Sequence, residues 1–207
     1  MMSKLMLPFR KRRMARFVQD FGVSGDTRIL DVGGTAFNWS LVGYPGAVKI
    51  ANVSALELAR ETPARYATEI ADATDLPYED KSFEITFSNS VIEHVGDYEQ
   101  QKRFAAEARR VAHGLCIQTP ARCFFLEPHY LTPFIHWLSS RWQKRLLRNF
   151  TVWGLMSRPD KRTVERCVDT TRLLNYRQLQ ELFPDCEIRS ERFLLLTKSY
   201  LVVRKPA

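Results

Sequence analysis

Cysteine is scarce: Cys116, Cys123, Cys167 and Cys186 form no C-x-x-C pair and keep no zinc-type spacing to histidine, so no metal centre is expected. Thiols so dispersed read as reduced, which fits a cytoplasmic chain without a signal peptide. Long apolar runs are missing too. Leu5-Met6-Leu7 is cut by Pro8 and is too short for a membrane span or a secretory core. Glycine amounts to 9 of 207 residues, and none of them builds G-x-G-x-x-G or G-x-x-x-x-G-K-[ST], which removes the dinucleotide fingerprint and the P-loop. A Ser/His/Asp or reactive-cysteine pattern is absent as well.

What is present describes one globular domain over 1–207, with 45% hydrophobic and 26% charged residues. The net charge of +8 invites a nucleic-acid or anionic-membrane partner. The cations are scattered, however, and no nucleic-acid module accompanies them, so nucleic acid is not expected. Two clusters stand out: Arg10, Lys11, Arg12, Arg13 and Arg16, and then Arg141, Lys144, Arg145 and Arg148. The first belongs to a basic helix within 1–22, starting at Arg10, with Phe17, Val18 and Phe21 along one side. Such a helix either rests on anionic lipid or covers a sheet edge or crevice, and the second reading is preferred.

The organising stretch is Thr27-Arg28-Ile29-Leu30-Asp31-Val32-Gly33-Gly34-Thr35-Ala36-Phe37-Asn38-Trp39. It reads as a buried strand that ends in two glycines and turns into a helix. Glycine there permits a positive φ and the close approach of a ligand. Asp31 falls at the carboxyl end of the strand, where open α/β sheets hold ligands. Downstream, Asp72-Ala73-Thr74-Asp75-Leu76-Pro77 leads through Ser82-Phe83-Glu84 into the strand Ile85-Thr86-Phe87-Ser88 and then Asn89-Ser90-Val91-Ile92-Glu93-His94-Val95.

This order of motifs, over roughly Thr27 to Pro120, resembles the class I S-adenosylmethionine-dependent methyltransferases, type-11 branch. The resemblance implies an α/β, Rossmann-like, doubly wound and mostly parallel sheet with an antiparallel final strand. It also implies S-adenosylmethionine as cofactor, and a cofactor site of Asp31, Gly33, Gly34, Asn52, Asp72, Ala73 and Asn89. Asp72 and Ala73 would meet the adenine, while the Asn89–His94 stretch would line the methionine end and open onto the acceptor. The chain departs from the family at Thr35 and Phe37, which stand where the second and third loop glycines usually are, and at Asn52, where an acidic residue usually ends the second strand.

Along the chain, strands are expected at Ala47–Ala51, Ala67–Ile70 and Leu115–Pro120, and helices at Asn38–Val42, Ala55–Glu61 (broken by Pro63), Asp97–Val111 (stopped by Gly114) and Asn175–Phe183. Pro159–Arg166 reads as a polar loop. Cys186–Phe193 and Leu194–Arg204 read as the closing strands, with Arg204–Ala207 frayed. Within 121–169 the sequence sets Phe124, Phe125, Tyr130, Phe134, Trp137, Trp142, Phe150 and Trp153 among basic residues, a helical, aromatic-rich insertion after strand five, with one or two helices over Leu131–Leu147. Type-11 relatives carry similar Glu-Pro-His and Pro-Phe-x-His-Trp-Leu segments, matched here at Glu127–His129 and Pro133–Leu138.

Three readings compete for the insertion: a lid over the acceptor, an aromatic-cationic patch on lipid headgroups, and extra core with a dimer surface. Under the lid reading, His94, Glu127, His129 and Tyr130 orient or deprotonate a small-molecule, glycan or lipid-linked acceptor. The contrasting possibility from another class is a non-catalytic Rossmann-like binding protein with a basic surface.

Overall fold

The structure is a computed structural model and describes residues 2–44, 46–59 and 66–206. Its centre is a seven-stranded sheet in the order β3-β2-β1-β4-β5-β9-β8, built on β1 (Ile29–Val32), β2 (Val48–Asn52), β3 (Tyr66–Ile70), β4 (Phe83–Asn89) and β5 (Ala112–Pro120), all parallel. The strands β8 (Glu187–Phe193) and β9 (Leu196–Arg204) close it antiparallel. The strand order reverses next to β1, so the carboxyl ends of β1 and β4 bound a crevice.

Alternation along β1 sends its residues to two cores. Leu30 and Val32 join Phe104, Ala108, Leu179 and Phe183 beneath α4 (Tyr98–Arg110) and α8 (Tyr176–Leu182). Ile29 joins Met14, Phe17, Trp39 and Phe87 beneath α1 (Met2–Phe21) and α2 (Ala36–Ser40). Helix α4 starts where the Asp97 carboxylate accepts from Gln100 N at 3.0 Å, and α8 starts on a capping box between Asn175 and Gln178.

The insertion carries a short hairpin, β6 (Leu126–Glu127) with β7 (Thr132–Pro133), and then α5 (Ser140–Phe150), α6 (Val152–Ser157) and α7 (Lys161–Thr170). Tyr130, Ile135, Leu147, Val164 and Val168 give it a small core of its own. No helix among the described residues is long and apolar enough to cross a membrane.

Several expectations are corrected. Pro159–Arg166 is not a polar loop: Asp160 caps α7 by accepting from Thr163 N at 2.8 Å, and Val164 and Val168 bury its inner face. Of the one or two helices expected over Leu131–Leu147, the structure forms a 3₁₀ turn at Ile135–Trp137 and most of α5, while the hairpin takes up the first residues of the stretch. Gly114 does not stop α4 but lies inside β5, where a Cβ would come within 2.8 Å of Pro206. Arg204 is correspondingly tied down: it belongs to β9 and donates to the carbonyls of His113 and Ala112 at 3.0 and 2.9 Å, whereas Ala207 lies outside the described residues. Helix α1 runs through Pro8 instead of starting at Arg10, and burial of Met14 and Phe17 anchors it. The helix after β2 is described as α3 (Ala55–Ala59); the expected continuation to Glu61 and the break at Pro63 lie outside the described residues.

Candidate active site

A crevice of about 390 Å³ opens at the carboxyl ends of the strands, lined by Gly33, Asn52, Val53, Ala71, Asp72, Ala73, Ser90, Val91, His94 and Val95. Gly33 has φ +71, and a Cβ there would stand 2.5 Å from Val91. Only glycine fits that turn. Asn52 is buried and fastens the loop, its Nδ2 donating to Gly34 O at 3.0 Å while its Oδ1 accepts from Ser54 N at 2.9 Å. The Asp72 carboxylate accepts from Thr74 N and Thr74 Oγ1, both at 2.8 Å, an Asx-turn on the wall of the crevice.

Asp31 lies elsewhere. It is fully buried under Gly34, whose added Cβ would stand 2.0 Å from it, and it is not among the residues lining the crevice. Trp39 Nε1 donates to its Oδ2 at 2.7 Å, whereas Oδ1 has no partner. Burial, only partly offset by the Trp39 hydrogen bond, pushes its carboxyl up to about 7. Asn89 is likewise off the crevice wall, its Oδ1 accepting from Arg13 Nη1. Phe37 is largely exposed and leaves the rim clear.

Three of the four candidate catalytic residues meet. A 3₁₀ turn at Ile92–His94 drives Glu93 inward and leaves His94 on the crevice. His94 Nε2 stands 3.0 Å from His129 Nε2, and His129 Nδ1 stands 2.6 Å from Glu127 Oε1. Glu127 is buried and its second oxygen accepts from Tyr130 N at 2.7 Å. Burial by its neighbours and then the facing His129 hold His94 down to about 4, although part of its ring meets solvent. Burial works against a charge on His129 too, but the hydrogen bond and charge of Glu127 outweigh it and raise its basicity. Tyr130 is different: it packs into the core of the insertion against Trp153, and its ring lines neither the crevice nor the cavity beyond His129.

That cavity, about 140 Å³, lies on the far side of Ser90 and is lined by Phe9, Arg10, Arg13, Ser90, Gln118, Phe124, Leu126, His129, Leu131 and Lys198 among others. Arg13 is buried and forks onto Glu191 at 3.0 and 2.6 Å. Three cations thus face one carboxylate. Burial, followed by the charge of Arg13, lowers the pKa of both Arg10 and Lys198. A larger cavity of about 330 Å³ behind Glu127 includes Arg122, Tyr130 and Arg172 and shares no residue with the crevice.

Sequence reasoning named Ser90 and Glu93 only as part of the Asn89–His94 stretch and Arg13 only as part of the first basic cluster, and it passed over Lys198. Ser90 and Glu93 stand in the Asn89–Val95 motif and were within reach of it. Lys198 left no local signal; Arg13 stood in the first basic cluster, but only tertiary structure brings it beside Lys198.

Residues 44–115 match the model of a methyltransferase-domain family. No curated protein matches the chain. Among solved structures, an S-adenosylmethionine-dependent methyltransferase of Methanosarcina mazei aligns over 90% of this chain and 95% of its own, with 17% identity and a TM-score of 0.56. A Haemonchus contortus phosphoethanolamine N-methyltransferase in complex with phosphomonomethylethanolamine and S-adenosylhomocysteine aligns over 86% of this chain and 38% of its own, with 18% identity and a TM-score of 0.55. A Rhodobacter sphaeroides protein described as a Zn-dependent alcohol dehydrogenase aligns over 95% and 90%, with 13% identity and a TM-score of 0.67. At such identities these likenesses speak for the fold, and the family match over β2 to β5 speaks for the chemistry that the fold carries. Residues 44–115 carry the mark of a methyltransferase domain, and that domain indicates an S-adenosylmethionine-dependent methyltransferase.

Proposed function

We propose that this enzyme methylates a small acceptor carrying an anionic group on an apolar body, seated in the cationic cavity with its nucleophile toward His94 and His129. The observation that carries the reading is that crevice and cavity share Ser90 and meet across the two imidazoles, 3.0 Å apart. S-adenosylmethionine supplies an electrophilic methyl group on a sulfonium that is already a good leaving group.

The crevice suits that donor. Gly33 takes a positive φ that packs the loop against Val91 on the crevice wall, and the unpartnered Oδ1 of Asp31 lies beneath that loop, where a cationic ligand would favour the ionised carboxylate. Asp72, Ala73 and Asn52 would hold the adenosine end from the opposite wall. Asn89 is not carried into this reading, since Arg13 occupies its side chain. An in-line displacement asks of the protein that it position the nucleophile, exclude water and accept one proton. Glu127 fixes the ring of His129, and His129 faces His94, so an acceptor that parts the two Nε2 atoms would meet imidazole nitrogens of defined orientation.

The choice of an anionic acceptor rests on charge. Arg10 and Lys198 border the cavity beside Arg13, whose carboxylate partner Glu191 balances only one of the three. Leu126, Leu131, Phe124 and Phe9 supply the apolar walls.

The test is methyl transfer from labelled S-adenosylmethionine to paired acceptors, hydroxyls and amines with and without a carboxylate or phosphate. Label is expected on the anionic member of each pair. Lys198→Ala should raise the acceptor KM about tenfold, the worth of one charge-assisted hydrogen bond, with donor affinity unchanged. Equal labelling of neutral acceptors would sink the proposal.

A further inference from the structure

We infer that Glu93, His94 and His129 form a binding site for one divalent transition-metal ion. One ligand atom from each of the three lies within 4.8 Å of the others. The two Nε2 atoms are 3.0 Å apart, near the roughly 3.3 Å between two nitrogens that each stand about 2.05 Å from a tetrahedral centre.

The carboxylate supplies an independent observation. Glu93 is wholly buried; its Oε2 accepts from Thr119 Oγ1 at 2.9 Å, and its Oε1 has no hydrogen-bond partner. A buried carboxylate oxygen without a partner is costly unless a cation or a ligand meets it. The surroundings of His129 fit the same role. Its Nδ1 is held by Glu127 Oε1 at 2.6 Å, the carboxylate-to-histidine contact that fixes a ligating ring with the other nitrogen free to bind. On His94, Thr171 Oγ1 stands 3.5 Å from Nδ1.

Two imidazoles and one carboxylate favour Mn²⁺, Fe²⁺, Co²⁺ or Zn²⁺ over Mg²⁺ and Ca²⁺, which take oxygen ligands. Three protein ligands also leave coordination positions open. His94 lines the donor crevice and His129 the cationic cavity, so an open position lies between donor and acceptor. The ion's role rests on the proposed acceptor site: it would hold an acceptor hydroxyl and make it easier to ionise. Its binding is argued without that site. The ion and the direct contact between the two imidazoles are exclusive, because both need the same pair of nitrogens.

The experiment uses the full chain, stripped with EDTA and dialysed. Mn²⁺ is followed by the resonance of the free ion, and Zn²⁺ by calorimetry with elemental analysis after desalting. One ion per chain is expected. His94→Ala and His129→Ala should each weaken it at least about tenfold and Glu127→Gln about 10- to 100-fold, whereas His113→Ala, on the exposed side of β5, should change nothing. Thermal melts of the histidine variants check that they are folded. No uptake by wild type at about 1 mM metal, a −4 kcal/mol threshold, overturns the inference, as does equal uptake by a folded His94→Ala/His129→Ala variant. S-adenosylhomocysteine binding and acceptor methylation are read on the same samples. No uptake with methylation of anionic acceptors intact removes the ion and leaves the acceptor reading standing; uptake without a preference for anionic acceptors does the reverse.

Discussion

Asp31, a candidate for the cofactor site, lies buried beneath the glycine loop and not on the crevice wall. Its neighbours along β1 are apolar, and the alternation of the strand turns it toward Trp39 on the α1 and α2 side. A wholly buried carboxyl raised from 3.8 to about 7 has a consequence for stability. Below about pH 4 the group is protonated in folded and unfolded chains alike, and its burial as a neutral acid costs little. Between about 4 and 7 the unfolded chain releases the proton while the folded one keeps it, so stability falls as pH rises; above 7 the penalty is complete and constant. Asp31→Asn keeps an acceptor for Trp39 and removes the ionisable group. The variant should therefore lose less Tm than wild type between pH 4 and 7 in calorimetric scans without donor, the comparison separating Asp31 from other buried acids such as Glu93. Parallel curves would mean that Asp31 ionises normally. With donor present the order should reverse, because the variant gives up the carboxylate beneath the glycine loop.

At the scale of elements, α1 does more than cover the sheet. Phe17 packs on Phe21 and Phe87 with ring centroids at 5.0 Å and on Trp39 at 6.0 Å, and Trp39 in turn holds Asp31. Phe17→Ala should cost about 3–5 kcal/mol in chemical denaturation, the usual range for a buried phenylalanine, and weaken donor binding through Trp39. Loss of stability with donor affinity intact would detach α1 from the site. Helix α7 depends on its cap, and Asp160→Ala should cost about 1 kcal/mol. The same two elements show what was legible. Phe17, Val18 and Phe21 marked an apolar side of α1 in the sequence, but its passage through Pro8 contradicts the local rule. In α7 the charges around Asp160 hid a stripe of only two valines, and the cap that starts the helix looked like loop chemistry. Strands β1, β4 and β5 were readable because buried parallel strands are apolar and bounded by turn residues. The cationic cavity was not, since Arg10, Arg13 and Lys198 become neighbours only when α1 lies across the end of β9.

Across the whole molecule, the charge of +8 can now be given a place. Arg10 and Arg13 from the first basic cluster line the cationic cavity proposed for the acceptor, beside Lys198. The second cluster sits on α5: Lys144 pairs with Asp169 at 2.8 Å, and Arg145 keeps its charge while lying over the Trp142 ring at 5.9 Å. A positive field of this kind raises the encounter rate with an anionic small molecule and fades as salt shortens its reach to about 8 Å at physiological ionic strength. For an anionic acceptor found in the paired screen, kcat/KM should fall steadily between about 0.02 and 0.5 M NaCl, where screening grows strongest. Most of the loss should fall in KM, because the field acts before the acceptor is seated and the imidazole pair acts after. Donor affinity should move much less, since the crevice is lined chiefly by glycine, alanine, valine and neutral polar groups, with Asp72 held in its turn. A kcat/KM indifferent to salt would confine the cations to structural duty and leave the net charge without a part in catalysis.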